Sequence, residues 1–167
     1  MFDLKPVAMS AIPAALSKAE RYRLLNEPAQ AESICEDVLA VDPRNHQALV
    51  MLLLALTDQF SDAKRSTVVA EAVATAERLP TEYERAYYHG LVLERRARAQ
   101  FQRSGPASSR ALDWFEEAMR LFERAETVRP ADNDDAVLRW NACARMLRRY
   151  QHLLRRHEER DAAVLLE

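Results

Sequence analysis

The stretch Ala111–Pro130, ALDWFEEAMRLFERAETVRP, decides how the chain folds. It holds no glycine, and its only proline closes it. Phe115, Ala118, Phe122 and Ala125 recur at spacings of three and four, the period of one helical face. Two helices approach to about 8–9 Å only where the side chains at their crossing are small, so Ala118 and Ala125 mark a crossing and the two phenylalanines fill the space beside it. Pro130 removes a backbone donor and disfavours helical geometry just before it, which ends the segment.

Outward from Pro130, two more prolines stand in the same setting, Pro43 in LAVDPRN and Pro80 in AERLPTE. Twelve and eight positions before each proline stand Ala31 and Cys35, Val68 and Ala72, and Ala118 and Phe122. Ten positions after them stand Leu53, Gly90 and Trp140, and the first unit has the matching small residue Ala19, with Tyr22 three later. This phasing resembles the tetratricopeptide repeat (TPR), in which a helix with a small residue and then an aromatic is followed by a second helix with Ala, an aromatic and a closing Pro. The resemblance covers residues 12–132: repeat one 12–45, repeat two 46–82 and repeat three 83–132, with 133–163 as a capping helix. It implies one all-α domain, a right-handed superhelix of helix-turn-helix repeats whose first helices line a concave, partner-binding groove. The repeat spacings, 37 from Pro43 to Pro80 and 50 from Pro80 to Pro130, exceed the family's usual period. The turn 59–66 absorbs the first excess, and a lengthened fifth helix with a loop at Ser104–Ser109 absorbs the second.

Helices are expected over Ser10–Asn26, with Ser10 as cap and Pro13 in the first turn, then Pro28–Val41, Asn45–Phe60, Ala63–Leu79, Thr81–Arg103 and Ser108–Val128. A last helix starts at Asp132 or Asn133 and runs to about Arg160, with Val137, Trp140, Ala144, Leu147, Tyr150 and Leu154 as its apolar stripe. Trp140 stands where the family calls for a small residue, which implies a capping helix set at its own angle.

Composition agrees. With only two glycines in 167 residues, Gly90 and Gly105, the chain can supply neither phosphate-binding turns nor the frequent turns of a β fold. Net charge is −2, and no global field points to nucleic acid or acidic membranes. Cys35 and Cys143 sit within apolar helical patterns and are expected as buried free thiols. The longest unbroken apolar run, Ala48–Leu56, covers nine residues, under half a membrane span, so a soluble, cytoplasmic chain without membrane insertion is expected.

No sequence motif indicates an enzyme. A phosphate loop, a His-Glu-x-x-His pair, a Cys-x-x-Cys pair and a nucleophile elbow are all missing, and no cofactor or metal is expected. His157 and Asp161 share a helix face but lie among charges, and Asp132–Asp135 reads as a helix start rather than a calcium loop.

The segment ALVMLLLAL (48–56) is apolar on every side and must be covered all round. By the resemblance, Leu16 and Glu20, Val50 and Leu54, Tyr87 and Leu91, and Val137 and Asn141 face the groove, with Met51 and Tyr88 beside them. These places are mostly apolar, which argues against capture of a C-terminal carboxylate and for a partner's peptide or amphipathic helix. The alternative is that residues 1–12 or the last helix fill the groove from within, and self-association is a third use of the same surface. Arg139, Arg145, Arg148, Arg149, Arg155 and Arg156 on the last helix, with Arg95, Arg96, Arg98 and Arg103, offer a basic strip for phosphates. No aromatic residues alternate with them as base-stacking platforms would, so a solvated or ion-paired face is expected and nucleic acid is disfavoured.

Overall fold

The computed structural model describes residues 2–61, 67–104 and 109–164, with side chains for all of these except Ser109 and 150–164. Every regular element among them is helical: α1 Ile12–Leu24, α2 Pro28–Val41, α3 His46–Asp58, α4 Val68–Glu77, α5 Glu82–Ser104, α6 Ser109–Thr127 and α7 Asp135–Val164. No helix among the described residues is long and apolar enough to cross a membrane.

Local chemistry sets the boundaries. Pro28 opens α2 in the first turn, where its missing N–H is no loss. Asn45 caps α3 by accepting from the Ala48 N–H at 2.9 Å, while its amide donates to Asp42. Thr81 and Glu84 form a capping box at α5: the Thr81 hydroxyl accepts from the Glu84 N–H at 3.1 Å, and the Glu84 carboxylate accepts from the Thr81 N–H at 3.2 Å.

Three helix starts differ by more than one residue from the sequence expectation. Ser10 lies in a 3-10 turn, Met9–Ala11, and α1 begins at Ile12 with no side-chain cap. The last helix begins at Asp135, because the Asn133 side chain accepts from the Asp135 N–H at 3.0 Å after Asp132 turns the chain at φ 61°. α4 begins at Val68, whereas the expected start, Ala63, lies outside the described residues, as does most of the Ser104–Ser109 loop.

Each helix packs on the next in sequence, and each odd helix also touches the next odd one, α1 on α3, α3 on α5 and α5 on α7. The hydrophobic interior follows the chain accordingly. One core runs from Ile12 and Leu16 through α3 to Leu91, Val92 and Ala99 on one side of α5, and a second joins Tyr83 and Leu93 to Phe115, Phe122, Ala136 and Cys143. α5 therefore belongs to both. The all-round apolar α3 is covered by α1, α2, α4 and α5, and only Val50 and Leu54 of its apolar run stay half-exposed.

Among the described residues, α5 and α6 share the most extensive helix–helix contact. A Cβ on Gly90 would lie 2.8 Å from the Phe122 ring and 3.2 Å from the Ala118 carbonyl. Ala19, Ala31, Ala118 and Ala125 are all fully buried, as small residues at crossings should be. The added turns of α5 are paired too, with Phe101 and Phe115 ring centroids 5.3 Å apart.

Candidate functional site

The face shared by the odd helices carries the residues singled out in the sequence, but they divide by depth. Leu16, Met51 and Leu91 are buried at 2 %, 8 % and 1 % exposure and belong to the first core. As helix-seam residues they have no surface to offer a partner, which corrects their placement in an open groove. Val50, Leu54, Tyr87, Tyr88 and Asn141 are half-exposed, and so is Val137. Glu20 is exposed. Of the N-terminal segment, Phe2 and Leu4 are 102 % and 91 % exposed and do not fill the space, whereas Ile12 is buried in the first core.

Tyr87 is the centre of an aromatic group. Its ring stacks on Tyr83 at 5.8 Å, meets Tyr88 edge-on at 5.0 Å and lies 6.0 Å from Phe122. Tyr83 in turn donates its hydroxyl to Asn133 at 2.8 Å, tying α5 to the start of α7. Burial pushes the Tyr88 hydroxyl up to about 12, aided by Tyr87 and Glu84, and burial likewise raises Tyr83.

One to two turns beyond this row, the same face carries charge. Asp58 of α3 accepts from Arg23 of α1 at 2.8 Å and also from Arg95 of α5. Arg95 donates as well to the Thr57 hydroxyl at 2.8 Å. The three side chains are 19–25 % exposed, so solvent reaches them. Asp58 also lines a shallow cleft of about 440 Å³ with the Asn26–Gln30 turn and Gln59.

On α5 and α7 a second cluster is built round a fully buried carboxylate. Arg98 donates to one oxygen of Glu94 at 2.9 Å, while Arg139 stands 3.6 Å from the other, which has no hydrogen-bond partner. Burial works against the Arg139 cation, but its hydrogen bond with Tyr87 and the Glu94 carboxylate outweigh that and raise it. Cys143 lies near this carboxylate, and burial first, then Glu94, pushes its thiol up to about 12. Cys35 is likewise pushed up to about 12 by burial, and both free thiols are inert at neutral pH.

The sequence reading named Arg95, Arg98 and Arg139 as part of a basic strip but missed the Arg23, Asp58 and Glu94 side chains they stand with. Arg23, Asp58 and Glu94 stand seven or eight residues after Leu16, Val50 and Tyr87, two helical turns along. The same period that selected the apolar residues selects them too, once charged side chains are admitted to an inward face.

The arginines of the expected basic strip scatter. Arg139 turns inward to Glu94 and Tyr87. Arg96 lies over the Trp114 ring, 3.8 Å from its centroid, and Arg103 donates to the Phe60 carbonyl at 3.3 Å. Arg145, Arg148 and Arg149 are exposed on α7, while the side chains of Arg155 and Arg156, like His157 and Asp161, lie outside the described residues. No group of three metal-ligating side chains occurs among the described residues.

Comparison with protein-family models, with curated proteins and with solved structures found no match.

Proposed function

We propose that this chain is a protein-interaction module, a short array of tetratricopeptide-like helix pairs with a right-handed superhelical course. It carries out no chemistry of its own and acts as an adaptor, chaperone or assembly factor. Its partner's peptide or amphipathic helix lies on the face shared by α1, α3, α5 and α7. One observation carries the reading: Val50 and Leu54 of α3 and Tyr87 and Tyr88 of the neighbouring odd helix α5 are hydrophobic side chains left only partly buried. An apolar surface of that kind is a liability in water unless it is occupied. The order of packing supports the same reading, because among the described residues the substantial helix contacts all join first and second neighbours, as in an open stack.

The test is site-specific photocrosslinking in the source cell, with the crosslinker placed at Leu54 or Tyr87 and, as control, at exposed Ala74 of α4. A discrete protein adduct from the first two sites and none from the third is expected. Adducts of equal yield at all three would defeat the groove reading. Adducts with a second copy of this chain would transfer it to self-association.

A further inference from the structure

Two carboxylates of the odd-helix face are each shared by two arginines. Asp58 serves Arg23 and Arg95, and Glu94 serves Arg98 and Arg139. Within these two clusters four guanidiniums stand against two carboxylates, a local excess of two positive charges, in a chain whose net charge is −2. Donors are left over as well. Arg95 uses one guanidinium nitrogen, for both Thr57 and Asp58, and its other two make no hydrogen bond among the described residues. Arg98 spends two nitrogens on one Glu94 oxygen. The carboxylates hold the guanidiniums in place, so a further anion meets donors already oriented.

Resting on the groove reading, we infer that the segment held there is acidic. Its side-chain carboxylates meet the unused N–H groups of Arg23, Arg95, Arg98 and Arg139, while its apolar side chains lie on Leu54 and Tyr87. A nucleic-acid strand fits less well. Its unbroken row of phosphates would face Asp58 as well as the arginines, and the Tyr87 and Tyr88 rings are already engaged with each other.

Fluorescence anisotropy tests this with a dye-labelled amphipathic peptide, leucines on one face and glutamates beside them. Its glutamine-for-glutamate counterpart and a mixed-sequence DNA duplex are the comparators. The glutamate peptide should bind about tenfold more tightly than the glutamine one at low ionic strength, with the advantage shrinking as salt rises. Arg95→Gln should weaken it about threefold or more, and Asp58→Asn should tighten it by a similar factor, since the second change removes a negative charge from the face. Should Asp58→Asn fail to fold, Glu94→Gln raises the charge at the second cluster and carries the same expectation. A purely structural ion pair would lose binding in all these variants, and that result overturns the inference. Equal binding of the two peptides, or tighter capture of the duplex, overturns it too. If the glutamine peptide binds equally well and is lost in Leu54→Ala/Tyr87→Ala, the groove reading survives alone. If neither peptide binds, both fall.

Discussion

Gly90→Ala sets two effects against each other, and the structure says which wins. A glycine in a helix interior is destabilising by about 1 kcal/mol relative to alanine, so an unobstructed methyl would stabilise α5 by that amount. Here the new Cβ would sit 2.8 and 3.0 Å from two Phe122 ring carbons and 3.2 Å from the Ala118 carbonyl oxygen. Carbon atoms prefer about 3.5–4.0 Å. Neither neighbour is the loose end of a chain: Phe122 is fully buried, backed by the Tyr87 ring, and the carbonyl belongs to the α6 backbone. Relief therefore requires α5 and α6 to separate along their most extensive contact. Overpacking of this kind costs about 1–3 kcal/mol, which exceeds the propensity gain across most of its range. The expected net loss is about 0–2 kcal/mol, at roughly 2–4 °C in Tm per kcal/mol for a chain of this size. Denaturant unfolding followed by far-UV circular dichroism measures it. Phe122→Leu, which trims the ring, should couple favourably with Gly90→Ala by about 0.5 kcal/mol or more in a double-mutant cycle. A rise in stability for Gly90→Ala alone, or strict additivity of the pair, would refute the close crossing.

Ala118→Leu should destabilise by about 1–3 kcal/mol in the same assay, because its Cβ side is filled by the opposing helix. Alkaline pH should unfold the chain early. Burial holds Cys35 and Cys143 at about 12 against an ordinary value of 9.0, so the native state keeps protons that the unfolded state gives up. The stability they contribute is complete below about pH 9 and is lost as pH climbs towards 12, by about 1.4 kcal/mol per pH unit for each thiol. Denaturant midpoints at pH 7.5 and 10 that coincide would contradict this. Thr81→Ala removes one half of the α5 capping box and should lower stability by about 1 kcal/mol, while the exposed Thr67, which makes no side-chain cap at α4, should tolerate the same change. Glu94→Met takes a buried carboxylate with an unmet oxygen out of the interior and leaves two arginines that solvent can reach. Stability should hold or rise by about 1 kcal/mol, and a fall beyond 2 kcal/mol would show that the carboxylate ties α7 to α5.

What could be read from the sequence was what local rules decide. Pro28–Val41 was legible to the residue because proline opens the helix and the Asp-Pro turn closes it. The α5–α6 crossing was legible because only small residues can stand there, and Gly90, Ala118 and Phe122 meet as their spacing required. The start of α7 slipped by two or three residues because Asn133 caps from one position further out, a choice made by φ at Asp132 that composition does not announce. The face shared by the odd helices was legible in direction and not in depth. A period of three and four places Leu16, Leu91 and Tyr87 on one broad face, and only the packing of neighbouring helices decides that the first two are sealed while the third is half-open.

The same packing explains why charge gathers on that face. Sequential helices meet along crossings of small residues, and the interiors of the hairpins are built mainly of apolar side chains. Odd helices meet each other over much less of their length. Beside such a shallow seam, a side chain must be long enough to reach across and polar enough to stay partly wet, which describes arginine. Arg23 and Arg95 reach Asp58 from opposite sides and so link three successive odd helices through one carboxylate. Partly exposed pairs of this sort contribute little to stability, about 1 kcal/mol or less. One-to-one pairing would have served that purpose at no excess of charge. The two-to-one sharing instead leaves oriented, half-satisfied guanidiniums beside the partly buried apolar side chains, where stability gains least from them and an incoming anion gains most.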